Sequence, residues 1–437
     1  MDAENDQDLH VQMEQEETEN FCTCEKALNH AGFGPFNVIM LGCCTLMNSN
    51  VMINLLSPAV LLPMIQCEMS LNQFQSTLAA SILYLGYFFG NMIFGPLSDH
   101  YGRKKAILLG TIGSCVVSLQ FSFAPSYYWI LFFQFMLGTF TAGIVIHVSF
   151  CVEFMPLHKR SYSGFVFLGI PIGFTWYGLI LLCLLHLKDN WRVVLCIVHV
   201  LMFAATASIF YALVPESPRF LLTAGKTKEA LAVFQTIWKV NQVKPKKGKL
   251  APLGNVTGHG NLFESFKKPY LKSTVLLGWL FFVNGLTRYG AIFLVPELKR
   301  SCLDYSTTIP VSSMCHALTR DDVRKLIFTC LLDFPGILVG VPCINLLGRK
   351  KTLSLIHILL AASLVPLYFC EISSYSWLTL TLVRTMTSIT DCTLEVYAPE
   401  VYPTYLRNAG VSMVQVGERL YTILAAYVAQ LLFEANF

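Results

Sequence analysis

The chain has 437 residues, of which 54% are hydrophobic and only 13% charged, and its mean hydropathy is +0.55. Water-soluble domains carry about 25% charged residues, so most of this surface must face something other than water. The formal net charge of +4 is too small to draw the chain to nucleic acid, and no such partner is expected.

The first twenty residues hold Asp2, Glu4, Asp6, Asp8, Glu14, Glu16, Glu17 and Glu19 and no Lys or Arg. A stretch this acidic cannot bury enough apolar surface to fold, so 1–35 reads as a disordered head plus a pre-helix. No basic stretch precedes a short apolar run, so no cleaved leader is expected and the first span serves as the targeting signal. Apolar stretches then recur at 36–65, 78–97, 106–123, 128–151, 162–185, 193–214, 273–295, 323–347, 352–370, 375–397 and 408–433. Crossing ~30 Å of hydrocarbon at ~1.5 Å per residue takes about 20 residues, which these runs supply. A barrel would show alternating segments of roughly 10 residues instead. Helices also satisfy their own backbone groups in lipid. The expected fold class is therefore an all-α membrane protein: a six-span bundle over 36–214, a basic linker over 215–272, and a second bundle over 273–437. Phe437 falls near the point where a twelfth span is expected to begin, so this second bundle is expected to hold five spans.

Basic residues set the orientation. Arg103, Lys104 and Lys105 follow span two, Lys159 and Arg160 follow span four, and Arg349, Lys350 and Lys351 follow span eight, while the opposite short loops have none. The N-terminus and these loops are expected to be cytosolic. Within the Lys-rich linker, 226–241 reads as a short amphipathic helix and 242–262 as a Pro/Gly-rich loop. The linker either touches anionic headgroups or simply obeys the same charge rule. Asn255-Val256-Thr257 has the form of a glycosylation site but falls on the cytosolic side, where no glycan is expected.

Two unrelated motifs recur in register. Gly102-Arg103-Lys104-Lys105 reappears as Gly348-Arg349-Lys350-Lys351, and Glu153-x-x-Pro156-x-x-x-Arg160 reappears as Glu400-x-x-Pro403-x-x-x-Arg407. Each copy sits at the same place in its half, after the second and the fourth span, which implies duplicated halves. Gly95-Pro-Leu-Ser-Asp99-His-Tyr-Gly102-Arg103 resembles the signature loop of the major facilitator superfamily. Pro215-Glu216-Ser217-Pro218-Arg219-Phe220 is similar to a motif of sugar porters and organic-ion transporters. Ala27-Leu28 with Gly32-Phe33-Gly34-x-Phe36, Phe334-Pro335-Gly336, and Tyr397-x-Pro399-Glu400-Val-Tyr-Pro403-Thr404 resemble the synaptic vesicle 2-related branch. The resemblance covers roughly 21–437 and implies two pseudo-repeat halves with a solute site between them.

It also implies a latch on the cytosolic side. Gly95 and Gly102 permit close helix approach. Asp99 is expected to face the start of span eleven, where free N–H groups and the helix dipole favour an anion. Arg103 can pair across the halves, and the pairs Glu153–Arg160 and Glu400–Arg407 are expected to break and re-form. The alternative is plain topology, with basic loops staying inside. The second copy, Gly348 and Arg349, is expected to latch less firmly, because Asn345 stands where the first half has Asp99.

An ionisable side chain at the bilayer centre costs roughly 2.5–3.5 kcal/mol on insertion scales. The first half offers neutral groups instead, with Asn50 and Asn54 one helical turn apart in span one and Gln134 where many relatives have Arg. The second half holds Arg288, Asp333, Arg384, Asp391, Glu395, Glu418 and Arg419. Positions 384, 391 and 395 share one face of span ten, the best candidate for a polar wall. Arg419 would anchor an anionic group, and Asp333, Asp391 or Glu395 would take a cation or proton; internal pairing such as Arg384 with Asp391 is the structural alternative. His147 and His199 read as packed histidines, and Tyr84, Tyr87, Trp176 and Tyr177 as packing or interfacial aromatics before path-lining ones. Of fifteen cysteines, Cys302 and Cys315 lie in a polar non-cytosolic loop and form the disulfide candidate.

No Gly-Lys-Ser/Thr phosphate loop and no metal-ligand spacing occurs, so no enzyme activity, cofactor or metal is expected. The reading is a monomeric secondary transporter of a small organic solute, in a plasma or vesicle membrane, with possible proton or other ion coupling. The alternative, favoured by the neutral first span, Gln134 and Asn345, is a relative that lost transport and serves as a vesicle or interaction partner.

Overall fold

The computed structural model describes residues 21–184, 191–245, 249–250, 262–303, 320–365, 376–403 and 406–434. A short helix α1 (Cys24–Ala31) leads into α2 (Pro35–Met69), α3 (Gln73–Tyr101), α4 (Arg103–Phe121), α5 (Tyr127–Val145) and α6 (His147–Val152). A 3-10 segment (Leu157–Leu168) runs into α7 (Gly169–Cys183), followed by α8 (Trp191–Leu213). The linker carries α9 (Pro218–Thr223) and α10 (Thr227–Val240). The second half comprises α11 (Leu271–Leu303), α12 (Arg320–Leu331), α13 (Asp333–Leu347), α14 (Arg349–Leu364), α15 (Ser376–Val401) and α16 (Arg407–Glu434). The expected spans are helical over most of their described residues, with interruptions at Ile146 and Leu332. By length and apolarity, Pro35–Leu62, Phe74–Tyr101, Tyr127–Val152, Leu157–Cys183 and Trp191–Leu213 suffice to cross a membrane.

Local chemistry sets the ends. The α3 start is a capping box, in which the Gln75 N–H donates to Asn72 Oδ1 at 2.8 Å and the Asn72 N–H donates to Gln75 Oε1 at 3.0 Å. Gly102 and Gly348 stop one helix and start the next with φ of +109° and +79°, angles that a side chain would strain. Pro96 and Pro342 lie inside α3 and α13, equally spaced before those glycines. The internal repeat thus extends to backbone geometry.

Small residues let the helices close. A side chain at Gly138 would lie 1.9 Å from the Leu83 carbonyl oxygen, and one at Gly86 would lie 1.9 Å from that of Phe135, so α3 and α5 meet backbone to backbone. A side chain at Gly95 would lie 2.7 Å from the Ser412 hydroxyl of α16, so α3 also approaches that helix closely across the halves. The halves also meet where α7 packs on α12, at Gly178 against Ile327, and where the 3-10 segment packs on α13 and α15.

The pre-helix is built into the fold. Phe21–Cys22 pairs in parallel with Lys249–Leu250. Trp238 of α10 donates to the Ala27 carbonyl at 3.5 Å, and the Leu157 N–H donates to Asn29 at 3.0 Å. The helix expected at 226–241 is present with Phe234, Ile237 and Trp238 buried on one face. The acidic head, Asn255 and Cys315 lie outside the described residues, as does the side chain of Cys302. Cys67, not singled out in the sequence, is disulfide-bonded.

Candidate functional site

On the face carrying the basic loops, one cluster ties the halves together. Asp99, whose side chain is 2% exposed, accepts from the Ala409 N–H at 3.2 Å and from Asn408 Nδ2 at 3.0 Å. Both donors lie in the first turn of α16, where unsatisfied N–H groups and the helix dipole favour an anion. Asp99 also pairs with Arg103 at 3.2 Å. Fully buried Glu153 pairs with Arg407 at 3.2 Å and Arg103 at 3.5 Å, and Ser217 donates to it. Ser149 bonds Asn408, and Ser161 bonds Asn345. These contacts join the two halves on this face.

The pairing corrects the sequence expectation. Glu153 takes Arg407 from the other half, not its motif neighbour Arg160, and Glu400 takes Arg349 at 2.7 Å, not Arg407. Arg160 instead meets Glu25 of α1 at 2.9 Å, and Arg219 shares that carboxylate at 3.4 Å. Burial alone would push the Glu153 carboxyl up; Arg103, Arg407 and the Ser217 hydroxyl outweigh it and hold the group below its ordinary value. Burial pushes Arg407 down to about 10. Glu216, missed as a single residue although its motif was recognised, receives the N–H groups of Lys104 and Ser217, both at 3.1 Å. The first-half loop is thereby fixed to the linker.

Deeper in the bundle the charges of the second half converge. Asp333 begins α13 just after a break at Leu332. It receives Arg384 at 2.6 Å and Ser388 at 2.8 Å, with Arg288 at 3.7 Å. Asp391 is met by Arg288 and Asn284. Arg384 therefore pairs with Asp333 and not Asp391. Glu395 accepts from Gln415 at 2.8 and 2.9 Å. Arg419 pairs with Glu418 at 3.2 Å and stacks over the Tyr87 ring at 4.1 Å, which links the charged half to the neutral one. Sequence reading missed Asn284 and Gln415; the signal lay in their turn-apart spacing from Arg288 and Arg419.

The neutral candidates sit elsewhere. Asn50 donates to Thr206 at 2.5 Å and Asn54 to Thr141 at 2.8 Å, so both tie span one to its own bundle rather than to the charged cluster. Gln134 is buried, and its amide has no hydrogen-bond partner among the described residues. His147 and His199 bond backbone carbonyls. Trp176 is 46% exposed. Among the described residues no cluster of His, Cys, Asp or Glu suits a metal.

Two helical bundles that close over a charged centre and lock through buried ion pairs define a membrane transporter fold of the major facilitator type. The sequence pattern described as "Sugar (and other) transporter" matches residues 45–297, and the chain belongs to that family. It is 27% identical to the synaptic vesicle 2-related protein of Pongo abelii over 96% of this chain and 77% of that one. The Xenopus laevis protein of the same name gives 27% identity over the same shares. The fold resembles the major facilitator proton:xylose symporter XylE bound to 6-bromo-6-deoxy-D-glucose, with a TM-score of 0.65, 12% identity, and 92% and 90% of the two chains covered. It also resembles the partially occluded, inward-open xylose transporter XylE from E. coli, with a TM-score of 0.63, 12% identity, and 92% and 99% covered. These relatives place the chain in the synaptic vesicle 2-related branch, as a multi-pass membrane protein and not an enzyme.

Proposed function

We propose that this protein is a monomeric secondary transporter of a small organic solute, working by alternating access with its N-terminus in the cytosol of a plasma or vesicle membrane. The observation that carries the reading is the placement of ion pairs and of hydrogen bonds to buried charges. Glu153–Arg407 and Asp99–Asn408 cross between halves on one face, while Arg288, Asp333, Arg384 and Asp391 form a separate charged centre deeper in the bundle. A static partner protein would gain little from both: buried charge networks are costly to keep, and a rocking interface gives the outer set a cycle of breaking and re-forming. The solute is expected to meet the charged wall of α11, α13 and α15 on one side and the unspent amide of Gln134 on the other.

The test is uptake of a panel of small organic anions, cations and sugars into proteoliposomes, with and without a pH gradient. Saturable uptake that falls at least tenfold in Arg384→Ala and Asp391→Asn supports transport. Absence of flux for every solute, from protein shown to be folded, would favour the interaction-partner role instead.

A further inference from the structure

We propose that Glu395 is the proton-carrying group of this protein, loaded and unloaded through the small cavity between the halves. This deepens the transport reading and rests on it. The charged centre contains three guanidinium groups and four carboxylates. Arg384 is committed to Asp333, Arg288 to Asp391 and Arg419 to Glu418. Glu395 is the fourth carboxylate. It is 8% exposed, and among the described residues its oxygens meet only the neutral amide of Gln415. No guanidinium lies within ion-pair distance of it among the described residues, and the nearby charge of Arg419 is opposed by that of Glu418, so this buried carboxylate keeps much of the cost of its lost hydration, which an arriving cation removes.

The cavity limits the size of that cation. Glu395 lines a space of about 10 Å³, room for one water and too little for an organic cation or a hydrated metal. A proton needs no more: a hydronium ion gives one to a Glu395 oxygen and leaves as water. The same cavity is lined by Asn91, Ser149, Asn408 and Ser412, and Asn408 is the residue that Asp99 and Ser149 hold in the latch. Opening the latch therefore removes the polar lid between Glu395 and the basic-loop face.

The groups around Glu395 are few. Helix α16 presents Glu418 and Arg419, and α3 presents Tyr87, which Arg419 covers. Asp391, one turn along α15, is held by Arg288 of α11, and Asp333 of α13 by Arg384. His147 of α6 and His357 of α14 are bonded to the Ile144 and Leu353 carbonyls. Arg160 of the 3-10 segment is engaged by Glu25 at the outer end.

Infrared pH-difference spectra of the full chain in proteoliposomes test this without any solute. On acidification from about pH 9 to about pH 5, the unmodified protein is expected to gain the carbonyl stretch of a carboxylic acid in a dry site. Glu395→Gln should lack that band and Glu395→Asp should shift it, with cooperative melting confirming that each is folded. If Glu395→Gln fails to fold, the shift in Glu395→Asp carries the test. A band unchanged in these variants, or absent from the unmodified protein, overturns the proposal. A protein that shows the band but moves no solute defeats the transport reading alone.

Discussion

Asp99, Arg103, Glu153 and Arg407 are each held by partners on more than one element, so single substitutions there should have large and distinguishable effects. Asp99→Asn removes the anion from the α16 N-terminus and from Arg103, whereas Asn345→Ala loses one bond to Ser161. Flux is expected to fall far more in the first than in the second; equal losses would show that the two latches carry the same weight. Glu153→Gln strands Arg407 and leaves Arg103 with Asp99 alone, and breaking a buried pair in this way costs about 3–5 kcal/mol, visible as a lower Tm at neutral pH. The pH dependence has a definite sign. The folded protein holds the Glu153 carboxyl below its ordinary 4.5, so its contribution is complete above that value and is lost as pH falls through the lower, folded one. The acid limb of the Tm profile should therefore be shallower in Glu153→Gln than in the unmodified protein. Partner choice was the part of the site that sequence could not supply. Glu153 and Arg160 belong to one motif, which suggested a local pair, yet which guanidinium reaches a carboxylate depends on how the 3-10 segment turns away and how α16 approaches.

At the scale of elements, hydropathy and the repeated motifs were enough to place the helices, because lipid demands long apolar runs and duplication leaves paired glycines at 102 and 348. The broken passages were less legible. The interruptions at Ile146 and Leu332 fall inside apolar stretches that read as continuous, and the 3-10 geometry of Leu157–Leu168 has no signature in composition. The face of α15 bearing 384, 391 and 395 was legible from helical periodicity, but its three separate sets of partners were not. The α3–α5 crossing yields a sharp expectation. Gly138→Ala or Gly86→Ala pushes a methyl into a carbonyl of the facing helix, and overpacking of this kind costs about 1–3 kcal/mol. Gly42→Ala, with nothing within 4 Å, should leave the Tm unchanged. Thermal unfolding in detergent separates the two cases.

For the whole molecule, the halves divide their labour unequally: the first supplies neutral packing and the two buried anions of the latch, Asp99 and Glu153, the second nearly all the deep charge. The closed face can be caught chemically. Ser149→Cys with Asn408→Cys, in a background freed of competing thiols, is expected to form a disulfide that stops flux, and reduction should restore it; free movement of solute through the oxidised protein would disprove closure at this point. The clasp formed by Glu25 has a practical corollary. A protein begun at Pro35 would keep every expected span, yet Arg160 and Arg219 would lose the acid they share and Leu157 its partner Asn29. Where an expression clone starts is thus a thermodynamic decision, and trimming to the first membrane helix for convenience would discard a brace that the bundle uses.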